Sequence, residues 1–146
     1  MTAYRPPIRD LRFVLTNLVD MDGLRATGAF PNAEPDIIDG ALEEAGRFIA
    51  EVVAPLARTA DKTGSVRNPD GSVTTPPGYR QAYKRFVETG WPAISFPEEW
   101  GGGGMPFVIG LAVAEMLTSA DMAFSLGPML TYAANGVDAA DEFTSV

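Results

Sequence analysis

The sequence predicts an all-α protein, an orthogonal or up-down helical bundle of about five helices. Three observations carry this. Ile37, Ile38, Ala41, Leu42, Ala45, Phe48, Ile49, Val52, Val53 and Leu56 fall on one stripe at the three-and-four spacing of a core-facing helix over 34–58. Residues 107–118 are apolar nearly all round, the composition of a central, buried helix. No strand-like stretch is longer than 92–97.

The elements follow in order. Residues 1–9 read as an extended arm, because Pro6-Pro7 excludes helix there. Leu11, Val14, Leu15 and Leu18 then give a short amphipathic helix from 10 to about 20, with Asp10 as its cap. Gly23, Gly28, Pro31 and Asn32 make 21–33 a loop. In the long helix, Pro35 suits the first turn, and Glu34, Asp36 and Asp39 suit the positive helix end. Pro55 should kink or fray the last turn. Residues 59–77 are a polar connection in which Asp70-Gly71 has the chemistry of a hairpin turn. Tyr79, Ala82, Tyr83, Phe86 and Val87 form the apolar face of a helix over 78–89 that Gly90 ends. Asp121 caps a last helix from 122 to about 140, which Pro128 and Asn135-Gly136 should interrupt or bend. Residues 1–33 are thus an arm with a short helix, and 34–146 a helical domain.

Composition narrows the function. With 146 residues, 46% of them hydrophobic, the chain can bury a real core. A net charge of −8 argues against nucleic acid and against an anionic membrane surface. The chain has no cysteine, which excludes disulfides, thiolate catalysis and zinc ribbons. It has no histidine, which removes the commonest general base, the commonest metal ligand and every Ser-His-Asp arrangement. No metal site is expected. Arg5, Arg9, Asp10 and Arg12 leave no room for an apolar signal core, and the apolar run 105–114 is too short to span a bilayer. A soluble, cytoplasmic protein is the expectation.

One corner organises the chain: Gly90-Trp91-Pro92-Ala93-Ile94-Ser95-Phe96-Pro97-Glu98-Glu99-Trp100, then Gly101, Gly102, Gly103 and Gly104, then Met105-Pro106. Little in it continues a helix, and its tryptophans and phenylalanine can anchor a core. The glycines do not fit a dinucleotide fingerprint, since the third glycine would fall at Pro106 or Phe107. Lys62-Thr63 lacks the glycine of a phosphate loop. The run is therefore a structural turn. Glu98-Glu99 reads as a solvated acidic turn. Glu115 is the one charge in helix 107–118, so it should be enclosed and paired, hydrogen-bonded or protonated, with a structural role favoured over a catalytic one. Phe124, Leu126, Met129, Leu130 and Ala133 share one side of the last helix. They can be core or one wall of an apolar ligand pocket, and spacing alone leaves both open.

The corner resembles the N-terminal helical domain of the acyl-CoA dehydrogenase family. There, a glycine closes one helix, a short apolar stretch follows, then Pro-Glu-Glu-aromatic-Gly-Gly-x-Gly, then a buried helix with Glu-x-Leu. Glu115-Met116-Leu117 fits the last element, and Pro55, Asp61 and Gly64 resemble the family's upstream pattern. The stretch from Tyr4 to Leu15 is similar to the start of the long-form subgroup that includes the 3-(methylthio)propionyl-CoA dehydrogenase-like enzymes. The resemblance covers essentially the whole chain but only the opening part of such a protein.

It implies FAD-dependent α,β-dehydrogenation of an acyl-CoA thioester, an oxidoreductase acting on CH–CH, with electron-transferring flavoprotein as partner and a homo-oligomeric assembly. In the family, the middle β-domain and the C-terminal helical domain carry most of the flavin site and the glutamate base, and neither is in this sequence. No catalytic residue is therefore expected here, and FAD is not expected to bind this chain tightly. The N-terminal domain contributes part of the acyl pocket, which carries over to Leu126, Met129, Leu130 and Ala133 as substrate-binding residues. Trp91 and Glu115 carry over as structural. The ending Asp141-Glu142-Phe143-Thr144-Ser145-Val146 departs from the family's Gly, acidic residues and Lys, as a fragment or a natural truncation would. The alternative is a stand-alone helical interaction module without catalysis.

Overall fold

A computed structural model describes residues 3–144, the side chains of 134–144 excepted. The expected all-α architecture is present. Seven α-helical segments run α1 (Ile8–Asn17), α2 (Met21–Ala26), α3 (Pro35–Phe48), α4 (Ala54–Thr63), α5 (Tyr79–Glu88), α6 (Phe107–Ala120) and α7 (Met122–Thr144). α6 packs against α7 on one side and α3 on another. Ile109 and Met116 of α6 and Leu42 of α3 are fully enclosed at the centre.

The arm is extended as far as Pro7, where α1 begins earlier than its apolar pattern suggests. The carbonyl of Pro7 accepts from both Asp10 and Leu11, so Asp10 lies in the first turn and caps nothing. Its charge still suits the positive helix end. Tyr4 donates to the Met116 carbonyl at 2.9 Å and pairs with Ser119 Oγ at 2.8 Å, fastening the arm across α6. A Cβ at Gly46 would lie 3.1 Å from Pro6 Cβ and 2.9 Å from Ile8 Cδ1, so glycine there lets the arm and the start of α1 pass close to α3. Leu11, Leu15, Met21 and Ala33 belong to the same core as the later helices.

Residues 21–33 are not wholly loop. Asp20 accepts from the Gly23 N–H at 2.8 Å, and this cap starts α2 despite the glycine. Gly28, at φ +71°, follows its end. The long helix also differs from expectation. It neither frays nor stops near 58 but continues to Thr63 through a π turn at Ile49–Val53. The N–H of Ala54 reaches back to the Ile49 carbonyl, and this wider ring accommodates Pro55, which has no N–H to give.

Strands β1 (Val66–Arg67) and β2 (Val73–Thr74) form the expected hairpin, pairing Val66 with Thr74 and Arg67 with Val73. Gly71 takes φ +86° in its turn, and Asp70 accepts from the Ser72 hydroxyl and N–H. The hydroxyl bond, with the backbone bond, holds the Asp70 carboxyl below the ordinary range. Stretch 92–97 is not extended. It belongs to the corner's turns. Of the expected interruption or bend at Pro128 and 135–136, the interruption is absent, as α7 runs on through both. Pro128 is itself buried, and burial offsets the lost hydrogen bond.

Gly40 is an exposed α3 position with open space around its Cβ direction. Gly40→Ala is expected to stabilise the fold by about 0.5–1 kcal/mol, because alanine loses less backbone entropy in a helix. A raised urea midpoint with unchanged slope would show it.

Candidate functional site

The corner is built from two single 3₁₀ turns, Trp91–Ala93 and Glu98–Trp100, with the glycine run folded back on them. Gly102 donates to the Pro97 carbonyl at 3.0 Å, Gly103 to Ala93 at 3.0 Å, Gly104 to Phe96 at 2.9 Å and Met105 to Ile94 at 3.1 Å. Gly101 closes the second turn onto Glu98 at 2.9 Å. Two of the glycines supply positive φ, Gly101 at +79° and Gly104 at +63°. The other two allow contact, since a Cβ at Gly103 would lie 2.6 Å from the Ile94 carbonyl oxygen and one at Gly102 would overlap that of Phe96. Every glycine N–H of the run already has an acceptor, so the corner holds no cradle for phosphate.

Beside the corner, α6 and α7 enclose one side of an apolar groove of about 320 Å³. From α6, Phe107, Gly110, Leu111, Ala114, Leu117 and Thr118 face it. From α7 come Ser125, Pro128, Met129, Tyr132 and Ala133. Both sets repeat at three and four residues, so each helix presents one stripe. Trp91, Pro92 and Ile94 of the corner and Phe86 of α5 close the groove's end. Trp91 is half-buried, and its indole Nε1 is enclosed without an acceptor among the described residues. Tyr132 hydrogen-bonds Ser95, and its ring lies 4.8 Å from that of Phe96 and 5.8 Å from that of Phe107.

Behind the groove sits an aromatic cluster. Phe124 meets Tyr79 edge-on at 5.3 Å and Phe86 at 6.1 Å. Asp121 is buried at the joint between α6 and α7, as a cap should be. One carboxylate oxygen accepts from the Phe124 N–H at 3.1 Å and the other from the Tyr79 hydroxyl at 2.7 Å. Burial, together with that carboxylate, raises the Tyr79 hydroxyl well above the ordinary phenol range.

The structure divides the residues singled out by sequence. Met129 and Ala133 face the groove, with Met129 54% exposed. Leu126 and Leu130 lie on the neighbouring face of α7, and Leu130 is 68% exposed. Trp91 stands at the groove's end, packed against the core. Glu115 is exposed and makes no hydrogen bond or ion pair among the described residues, which corrects the expectation that it is enclosed. The reason is that α6 is buried on one side only: Phe107, Leu111, Ala114, Glu115 and Thr118 form its open stripe. Apolarity all round marked a covered face plus a groove wall. Sequence reasoning missed Phe107, Leu111 and Tyr132 as groove residues, although the spacing of 107, 111, 114 and 118 carried the signal. The departure at 141–146 lies outside the described side chains. Among the described residues no cluster could hold a metal ion, and no helix is long and apolar enough to cross a membrane.

A helical bundle with one short hairpin, a glycine-stitched corner and a groove between its last two helices defines a domain of the acyl-CoA dehydrogenase class. Residues 40–140 match the family model for the acyl-CoA dehydrogenase N-terminal domain, and the chain belongs to that family. It is 42% identical over 129 residues to the 3-methylmercaptopropionyl-CoA dehydrogenase of Ruegeria pomeroyi, a match covering 88% of this chain and 22% of that protein. It is 27% identical over 124 residues to the broad-specificity linear acyl-CoA dehydrogenase FadE5 of Mycobacterium tuberculosis, covering 84% of this chain and 20% of the other. The chain thus spans about a fifth of the length of these curated relatives.

Proposed function

We propose that this chain is the N-terminal helical part of an FAD-dependent acyl-CoA dehydrogenase and that its groove forms one wall of the acyl pocket. The observation that carries the reading is the apolar groove on α6 and α7 in a chain of this family. The groove walls have the chemistry for an acyl chain: aliphatic and aromatic side chains, an adaptable methionine, no charged residue. The similarity to a 3-methylmercaptopropionyl-CoA dehydrogenase favours a short, sulfur-containing acyl group.

The described residues do not fit a flavin diphosphate. The corner's glycine N–H groups are all bonded internally, and no Lys or Arg lines the groove. A bound flavin would supply the hydride chemistry of α,β-dehydrogenation, and this chain's part is to position the acyl group and exclude water around it. Electron-transferring flavoprotein as oxidant, a homo-oligomeric holoenzyme and a cytoplasmic location belong to the same proposal.

The chain alone is then expected neither to hold FAD tightly nor to turn over substrate. Mixed with FAD and an acyl-CoA, it should leave the flavin absorbance unbleached and the flavin freely dialysable. A retained, bleachable flavin would overturn the division of labour. In the full-length dehydrogenase, an apolar occupant of the groove should protect it. Loss of flavin reduction on narrowing the groove at Ala133 supports the reading, and unaffected reduction favours an interaction module.

A further inference from the structure

We propose that the Ser95–Tyr132 hydroxyl pair makes this groove selective for acyl chains that carry a hydrogen-bond-accepting heteroatom. This rests on reading the groove as an acyl pocket. Each hydroxyl has one hydrogen to donate. Ser95 and Tyr132 bond each other, and neither has another partner among the described residues. One O–H joins the pair, so the other has no protein acceptor. The remaining groove hydroxyl on α7 is already satisfied, as Ser125 donates to the Met122 carbonyl at 2.8 Å.

The pair is held in place. The Tyr132 ring packs against those of Phe96 and Phe107, and Tyr132 itself lines the groove. Gly110 leaves the room it needs. A Cβ there would lie 2.6 Å from Ser95 Oγ and 3.1 Å from the Tyr132 hydroxyl. Two hydroxyls can be ordered either way. With an all-carbon chain in the groove, Tyr132 donates to Ser95 and the ligand gains nothing. With a thioether, ether or carbonyl acceptor, the order reverses: Ser95 donates to Tyr132, and Tyr132 donates to the ligand. Each bond in such a chain polarises the next. Thioether sulfur is a weak acceptor, so its advantage over a methylene is modest and that of an ether oxygen larger.

The test compares 3-(methylthio)propionyl-CoA, 3-methoxypropionyl-CoA and pentanoyl-CoA, which differ at one chain atom, in the full-length dehydrogenase. Ratios of kcat/KM within one variant do not depend on the fraction folded. Tyr132→Phe is expected to reduce the preference for the heteroatom chains by about threefold to tenfold, the worth of one hydrogen bond. Ser95→Ala should give a smaller reduction, since Tyr132 keeps its O–H but loses the upstream donor. Ala133→Phe, which narrows the groove, should depress all three substrates. If Ala133→Phe depresses all three and Tyr132→Phe leaves the ratios unchanged, the pair is not the selector and the groove reading stands. If Ala133→Phe depresses none, the groove reading falls and the selector with it.

Discussion

Gly102→Ala is expected to destabilise the protein by about 2–4 kcal/mol, as overpacking against backbone that cannot yield. The added Cβ would overlap the Phe96 carbonyl oxygen, and that oxygen is fixed as the acceptor for Gly104. Relief requires opening the Gly102–Pro97 and Gly104–Phe96 bonds together. Gly101→Ala, one residue away, meets open space and suffers only from φ +79°. It should cost about 1 kcal/mol, the penalty of an L-residue in the left-handed region. Urea unfolding of the two variants separates close approach from backbone conformation. Equal losses would show that the corner is not held by the stitching described above.

Asp121→Ala is the second large effect expected, about 2–4 kcal/mol from a lost cap and a hydroxyl left without its charged acceptor. Asp121 serves α7 and α5 at once, through Phe124 and Tyr79. Asp121→Asn retains an acceptor for the Phe124 N–H and should recover about half of the loss. The pair also sets an alkaline limit. The folded Tyr79 value lies above the unfolded one, so its stabilisation is complete below the unfolded phenol value and is lost as pH rises through the folded value. Tyr79→Phe should be less stable than wild type at neutral pH and should lose less stability on alkaline titration, as thermal melts across pH would show.

Much of the fold was legible because its signals are local. The stripe from Ile38 to Val53, the Asp121 cap, the Asp70-Gly71 turn and the Gly90 stop each follow from a few neighbouring residues. The errors arose where a distant or paired interaction overrode local propensity. Asp20 rescues a helix that Gly23 argued against, and the π turn carries the long helix past Pro55. The groove was half legible. Met129 and Ala133 fall on a stripe visible in sequence, but which stripe of α7 faces α6 depends on how two helices are rotated against each other. Neighbouring stripes of α7 are both apolar, so hydrophobicity could not choose between Leu130 and Tyr132. The same ambiguity misplaced Glu115.

The π turn gives the long helix two separate aims. A regular helix advances about 100° per residue. One extra residue in a turn therefore resets the angular phase of everything after it. α3 directs Ile38, Leu42 and Ala45 inward, and the π turn adds Ile49 and Val53. Beyond it, Ala60 is the buried position, and Leu56 is turned against Gly78 at the foot of α5. A single rod thus serves as two differently oriented ones without a loop between them. Removing one residue from 49–53 would rotate α4 as a unit while leaving α3 in register, so the length of that segment, more than its side chains, sets where the hairpin and α5 are delivered.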